Sequence, residues 1–284
     1  MTRFLPIPTV LAAVLLVWLA AVAPMNWDQA QQIADEAASF PQILAATFGL
    51  DRPILPAPQQ VAGAFVESIL DWPITSPRSL VFHAGVTAGA AGVGFAIALA
   101  FGLLLAIAIV HVRTVDRALM PWVIASQAIP VLAIAPIVVI VLGNLGLTGL
   151  LPKALIAGWL CFFPITMGMV KGLRSPDPMQ RDLLRTYNAS RWQIFARLLL
   201  PAAMAFLLPS ARVAAPLALV GAIVAELPTG AQAGLGARLL AGSYYGQTLM
   251  IWSALFMAAF LALAAVAAVD LVQAALIRQR GGRL

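Results

Sequence analysis

The sequence predicts an all-α, polytopic membrane bundle of about six transmembrane helices, and three observations carry that prediction. First, 62% of the 284 residues are hydrophobic and only 10% are charged, with a mean hydropathy of +0.95. A soluble domain of this length cannot hide so much apolar surface, so lipid must be its main solvent. Second, uncharged runs of about the length that crosses a bilayer recur along the chain. Third, the basic residues fall in alternate loops between those runs, as the positive-inside rule requires. That placement also argues against nucleic acid as a partner, despite the net charge of +6.

Phe4 to Ala23 is an uncharged run after Arg3, about one bilayer crossing in length. Its apolar stretch exceeds the ~7–15 residues of a signal-peptide core, which favours a retained span over a leader cleaved after Ala21-Val22-Ala23. Residues 1–24 are therefore read as an N-terminal transmembrane helix. Residues 25–82 hold six of the eleven acids (Asp28, Asp35, Glu36, Asp51, Glu67, Asp71) and two bases, Arg52 and Arg78. Acid-rich and base-poor fits the extracytoplasmic side. Gln29–Phe40 and Pro58–Leu70 are expected as short amphipathic helices there, with Trp27 and Trp72 as interfacial anchors.

Residues 83–275 form the expected core of five further spans, and 276–284 a basic tail. The second span, about His83 to Val110, is rich in small residues. Gly85-xxx-Gly89 and Gly94-xxx-Ala98-xxx-Gly102 would let another helix approach closely. His83 and His111 bracket it as interfacial residues. Arg113 and Arg117 mark a loop. The third span, about Leu119 to Leu142, contains Pro121, Pro130 and Pro136, with Ser126 and Gln127 one turn from Pro130. Mid-membrane prolines free backbone carbonyls and bend a helix. A short loop with Asn144 leads past Lys153 to the fourth span, about Ala154 to Val170, where Pro164 and the single cysteine, Cys161, lie. The fifth span, about Ala202 to Ala225, carries one charge, Arg212, expected to snorkel. Glu226 closes it, residues 226–247 form a Gly-rich outer loop, and the last span runs from about Thr248 to Val269. Arg278, Arg280 and Arg283 follow. Six spans with both termini in the cytoplasm satisfy every loop.

Chemistry is sparse. The sequence has no G-x-x-x-x-G-K-[ST] loop to cradle phosphates, no H-E-x-x-H, no G-x-S-x-G and no cysteine pair. Asp270 and Glu226 sit at span ends, so no carboxylates are expected to pair within spans as a proton relay needs.

The exception is polar. Lys171 to Pro201 carries six bases (Lys171, Arg174, Arg181, Arg185, Arg191, Arg197) and two acids, Asp177 and Asp182, between two apolar runs. Its local signals predict helix, sharp bend, helix. Pro176, Asp177 and Pro178 open a helix to about Tyr187. Asn188 suits the left-handed conformation that ends one. Ser190 and Gln193 form a capping box, and Pro201 is expected to interrupt the second helix.

Asp182-Leu-Leu-Arg-Thr-Tyr-Asn-Ala-Ser-Arg-Trp-Gln-Ile-Phe-Ala-Arg-Leu-Leu-Leu-Pro201 resembles the E-A-A-x-x-x-G-A-S-x-x-x-x-F-x-x-V-x-L-P motif of permease subunits of bacterial ABC importers. Asp182 falls on the family's glutamate and Asn188 on its glycine. Ala189, Ser190, Phe195, Leu200 and Pro201 match outright, whereas Leu183 and Leu184 replace the two alanines. The resemblance covers roughly 80 to 272, including Ser126-Gln127-Ala-Ile-Pro130, Val224-Ala225-Glu226 and Gly234-Leu235-Gly236. It is nearest the nitrate/sulfonate/taurine branch, which takes in pyrimidine, thiamine-precursor and riboflavin transporters. The resemblance implies the type I importer, MetI-like fold in a bacterial inner membrane. It implies a second permease subunit (a homodimer or close paralogue), a cytoplasmic ATPase dimer and an extracytoplasmic substrate-binding protein as partners. Cofactors are expected to be absent from this chain, with ATP and Mg on the ATPase. Asp182, Leu183, Leu184, Asn188, Ala189, Ser190, Phe195, Leu200 and Pro201 would contact that ATPase. Ser126, Gln127, Pro130, Asn144, Arg212 and Glu226 are candidates for the translocation path. No catalytic or metal-binding residue is expected. The alternative from the residues alone is a secondary transporter or channel working without an ATPase.

Overall fold

The computed structural model describes residues 6–34, 38–228 and 232–279. Arg3, Asp35, Glu36, Arg280 and Arg283 lie outside them. Every regular element among the described residues is helical: α1 (Pro6–Ile33), α2 (Phe40–Ala46), α3 (Pro58–Leu70), α4 (Leu80–His111), α5 (Arg113–Ala125), α6 (Val131–Asn144), α7 (Leu150–Leu173), α8 (Pro178–Thr186), α9 (Arg191–Ile194), α10 (Leu200–Glu226), α11 (Leu235–Tyr244) and α12 (Thr248–Gln279). Among the described residues, five continuous helical stretches are long and apolar enough to cross a membrane, and a bent pair, α5 with α6, makes a sixth candidate. The chain divides into two compact units, Met1–His83 with Ala237–Met257, and Ala84–Gly236 with Ala258–Leu284.

In the first unit, α1 runs through Pro24 to Ile33, so Gln29 onward completes the first helix rather than opening a separate amphipathic one. The apolar side chains of its first turns, Val14, Leu16 and Val17 among them, are exposed and suit a lipid-facing surface. Two side chains tie α1 to the segment that follows. Asn26 is buried, its Nδ2 donating to the Leu55 and Thr47 carbonyls at 2.8 and 3.1 Å while its Oδ1 accepts from the Leu55 amide at 3.0 Å. Trp18 stacks on Trp252 at 4.7 Å and donates to the Pro56 carbonyl at 2.9 Å. Helix α3 has the predicted bounds, because Pro58 fits its first position and Gln60 folds back to cap the Ala57 amide at 2.9 Å. His83, in the opening turn of α4, is buried, with its Nε2 2.8 Å from the Pro77 carbonyl.

In the second unit, α7 packs along α10 and against α4. Glycines set the spacing. A Cβ on Gly94 would collide with the Ala154 carbonyl and Ala157, and one on Gly172 or Gly221 would collide with the backbone of Ala203 or Ala157. Gly94, Ala98 and Gly102 thus act as predicted. Gly85, Gly89 and Gly92 meet nothing within 4 Å in this chain and leave an open face.

Two prolines shape the helices here, one as expected and one not. Leu119–Leu142 is bent at Pro130, as a mid-membrane proline can do, and is not one continuous helix. A turn of 3₁₀ helix, Ser126–Ala128, separates α5 from α6, and the two helices diverge by 104°. The residue before a proline is driven out of the α region, and Ile129 is accordingly extended at φ −85, ψ 119. Pro201, in contrast, does not end its helix. Phe195–Leu199 form a π turn in which the Leu200 amide donates five residues back to Phe195. The widened turn accommodates the missing Pro201 N–H and its ring. Arg191–Glu226 is therefore one continuous helical stretch of 36 residues.

Candidate functional site

The polar segment folds as a rigid arm between α7 and α10. Asp177 caps α8, its Oδ1 accepting from the Met179 amide at 2.8 Å. At the other end the Asn188 amide donates to the Arg185 carbonyl at 2.9 Å and the Ala189 amide to the Leu184 carbonyl at 3.0 Å. That is the Schellman pairing, which needs a left-handed residue after the helix. Asn188 supplies it at φ 55, with a positive φ unique among the described non-glycine residues. The capping box then starts α9: the Gln193 amide donates to Ser190 Oγ at 3.3 Å and the Ser190 amide to Gln193 Oε1 at 2.8 Å.

The arm is also anchored. Arg181 donates to the Leu173 carbonyl at 3.1 Å, Arg174 pairs with Asp116 at 2.8 Å, and Phe195 sits between Trp192 and His111. Asp182 and Leu183 are exposed, Asn188 and Ser190 also, while Leu184, Ala189, Phe195, Leu200 and Pro201 are half-buried. Asp182 pairs with Arg185 at 3.1 Å, an exposed pair that contributes little. Sequence reading missed the most conspicuous feature of α8. Met179, Leu183 and Tyr187 stand four residues apart, and all are more than half exposed, as is Trp192 beyond the bend. Residues at i and i+4 share one helix face, so this stripe was available from the spacing alone.

At the opposite end of the same two helices lies a buried charge cluster. Glu226, the last residue of α10, is fully buried. Thr87 Oγ1 lies 3.0 Å from both carboxylate oxygens, the Gly236 amide donates to Oε2 at 2.8 Å, and Lys153 Nζ lies 3.7 Å from Oε1. Lys153 also donates to the Ala233 carbonyl at 3.0 Å, and the Leu235 amide donates to Thr87 Oγ1 at 2.8 Å. The donors at Leu235 and Gly236 are the first amides of α11, where a helix favours negative charge. Gly234 is at φ 129, and a Cβ there would overlap the Glu226 carboxylate. Glu226 ends its helix as expected, but its burial and its pairing with the buried Lys153 were not foreseen. One expectation is corrected: the Gly-rich outer segment contains a helix, α11.

The remaining path candidates do not gather at one point. Ser126 is buried and its Oγ donates to the Val123 carbonyl at 2.7 Å; Gln127 and Pro130 are exposed at the same bend. Asn144 lies at the far end of α6. Arg212 pairs with Asp270 at 3.3 Å rather than snorkelling alone.

Among the described residues, five apolar helices of spanning length, a sixth bent pair and a charged helical arm between α7 and α10 define a polytopic membrane protein. Residues 98–281 match the family described as binding-protein-dependent transport system inner membrane component. The chain is 34% identical over 225 residues to the riboflavin transport system permease protein RibX of Chloroflexus aurantiacus, covering 79% of this chain and 80% of that protein. It is 34% identical over 184 residues to the formylaminopyrimidine transport permease protein ThiX of Halalkalibacterium halodurans, covering 64% and 68%. The chain belongs to the binding-protein-dependent transport system inner membrane component family, the membrane permeases of ABC importers, with the MetI-like fold.

Proposed function

We propose that this chain forms half of the translocation path of an ABC importer for a small organic solute and couples through residues 171–201 to a separate ATPase. The observation that carries the reading is the arm itself. A charged loop that only set topology would need neither a Schellman turn at Asn188 nor a capping box at Ser190. Nor would it need an exposed apolar stripe at Met179, Leu183 and Tyr187. A preformed bend with an apolar face suits a groove on another protein, read as i, i+4 anchors.

The mechanism follows from connectivity. Helix α7 carries Lys153 near its start and enters the arm at its end, and the Arg191–Glu226 stretch leaves the arm and ends on Glu226. A push on the arm therefore moves two packed helices whose far ends are joined by the Lys153–Glu226 pair. At about 1.5 Å per residue, the Arg191–Glu226 stretch spans the whole bilayer. In this reading the arm and both termini are cytoplasmic, the Glu226 cluster lies toward the outer face, ATP and Mg bind the ATPase, and this chain performs no catalysis. A second permease subunit completes the path, and an extracytoplasmic binding protein delivers solute. The names of the two relatives support a polar heteroaromatic solute of the pyrimidine or riboflavin kind.

The test is a pull-down of the full chain from its native membranes with proteomic identification. A co-purified ATPase carrying the phosphate-cradling loop is expected. A chain that purifies alone and transports in vesicles without nucleotide would contradict the proposal and support a secondary carrier.

A further inference from the structure

Within the first unit a cavity of about 440 Å³ is lined by Glu67, Asp71, Trp72, Arg78, Arg238 and Ser253, within the ~300–1,000 Å³ of small-ligand sites. Its charges are sorted by depth. Ser253 is 3% exposed and Arg238 half-buried, whereas Glu67, Asp71 and Arg78 are exposed at the rim. Among the described residues Arg238 makes no ion pair. One of its Nη atoms donates to the Arg78 carbonyl at 2.7 Å, while its Nε and the Ser253 Oγ have no hydrogen-bond partner. The Arg78 guanidinium lies over the Trp72 ring, 4.7 Å from its centroid, and among the described residues it makes no ion pair with Glu67 or Asp71. A half-buried guanidinium without an anion is costly to keep.

The cavity also sits at a defined depth. Leu80 is the first residue of one spanning stretch, and Ser253 lies in the opening turns of another, Thr248–Arg278. Trp72 and the exposed Leu70 and Ile74 beside the rim suit the interface between water and lipid. The cavity thus suits headgroup level, with Arg238 at its floor and the Glu67 and Asp71 carboxylates, beside Arg78, at its mouth.

We propose that this cavity binds a zwitterionic phosphate ester bearing a primary ammonium, supplied by the headgroup of phosphatidylethanolamine. The phosphate, nearer the acyl chains, meets Arg238 and Ser253, and the ammonium, farther out, meets Glu67 and Asp71. The proposal rests on the membrane placement of α4 and α12 and is independent of the transported solute.

Native mass spectrometry of the delipidated full chain tests it, titrating dioleoyl phosphatidylethanolamine, phosphatidylglycerol and phosphatidylcholine. The ethanolamine lipid should bind about tenfold tighter than the other two, since charge-assisted hydrogen bonds need both ends of the headgroup. Arg238→Gln should remove most binding of all three. Glu67→Gln with Asp71→Asn, both exposed and so harmless to folding, should weaken the ethanolamine lipid alone and bring it level with phosphatidylglycerol. Free O-phosphoethanolamine separates the sources: failure to displace the lipid supports the headgroup, and displacement at matched concentration overturns the lipid assignment in favour of a soluble ester. Equal wild-type binding of the three lipids, or ethanolamine-lipid binding indifferent to both variants, overturns the site and leaves the cavity to another occupant, such as a binding-protein loop.

Discussion

Lys153 holds its ammonium 3.7 Å from the Glu226 carboxylate, and neither side chain exposes more than a tenth of its surface. The pair joins the start of α7 to the end of α10, the two helices that carry the arm between them. Breaking a buried pair on one side leaves a desolvated charge and costs about 3–5 kcal/mol. Lys153→Met should therefore lower the thermal unfolding temperature of the detergent-solubilised chain more than Lys153→Met combined with Glu226→Gln. If the double variant is the sum of its singles, the two side chains are not coupled.

Glycines that permit helix contact should be separable from glycines that merely lie in a helix. Gly94 faces α7 so closely that any Cβ meets backbone, whereas Gly89 meets nothing within 4 Å. Overpacking costs about 1–3 kcal/mol and rises when backbone must move. Gly94→Leu should destabilise the isolated chain by at least that much in a thermal-shift assay, and Gly89→Leu should leave it within error of the parent.

Asn188 tests the bend. Its φ of 55 is one a β-branched residue resists. A left-handed L-residue costs about 1–2 kcal/mol, a penalty that asparagine softens and glycine escapes. Asn188→Gly should retain ATPase co-purification, and Asn188→Val should lose much of it while inserting normally, as read by membrane-fraction yield. Equal capture by both would mean that the bend is not what the partner reads.

What was legible in the sequence was local. Pro58 and Gln60 placed α3, Asp177 and Pro178 opened α8, and Ser190 with Gln193 opened α9, each through contacts within three residues. The arm's bend followed from Asn188 for the same reason. Long-range structure was not legible. Thr87 meets Glu226 across 139 positions and Lys153 meets the Ala233 carbonyl across 80, and no spacing rule announces such partners. Arg212 had the same difficulty, since Asp270 lies on another helix. Prolines divided: Pro130 bent its run, as a mid-membrane proline can, while Pro201, expected to interrupt its helix, was absorbed by a π turn. The Met179–Leu183–Tyr187 stripe was a different omission, because its four-residue spacing stood in plain sight beside the arginines.

The central claim is that this exposed face of α8 seats an ATPase. A photo-crosslinking residue placed at Leu183, which is 56% exposed, tests it directly in native membranes. An adduct with an ATPase carrying a phosphate-binding loop is expected, diminished by Met179→Asp and absent when the crosslinker is moved to the exposed Leu16 of α1. No ATPase adduct from Leu183, in a chain that still transports, would contradict the account.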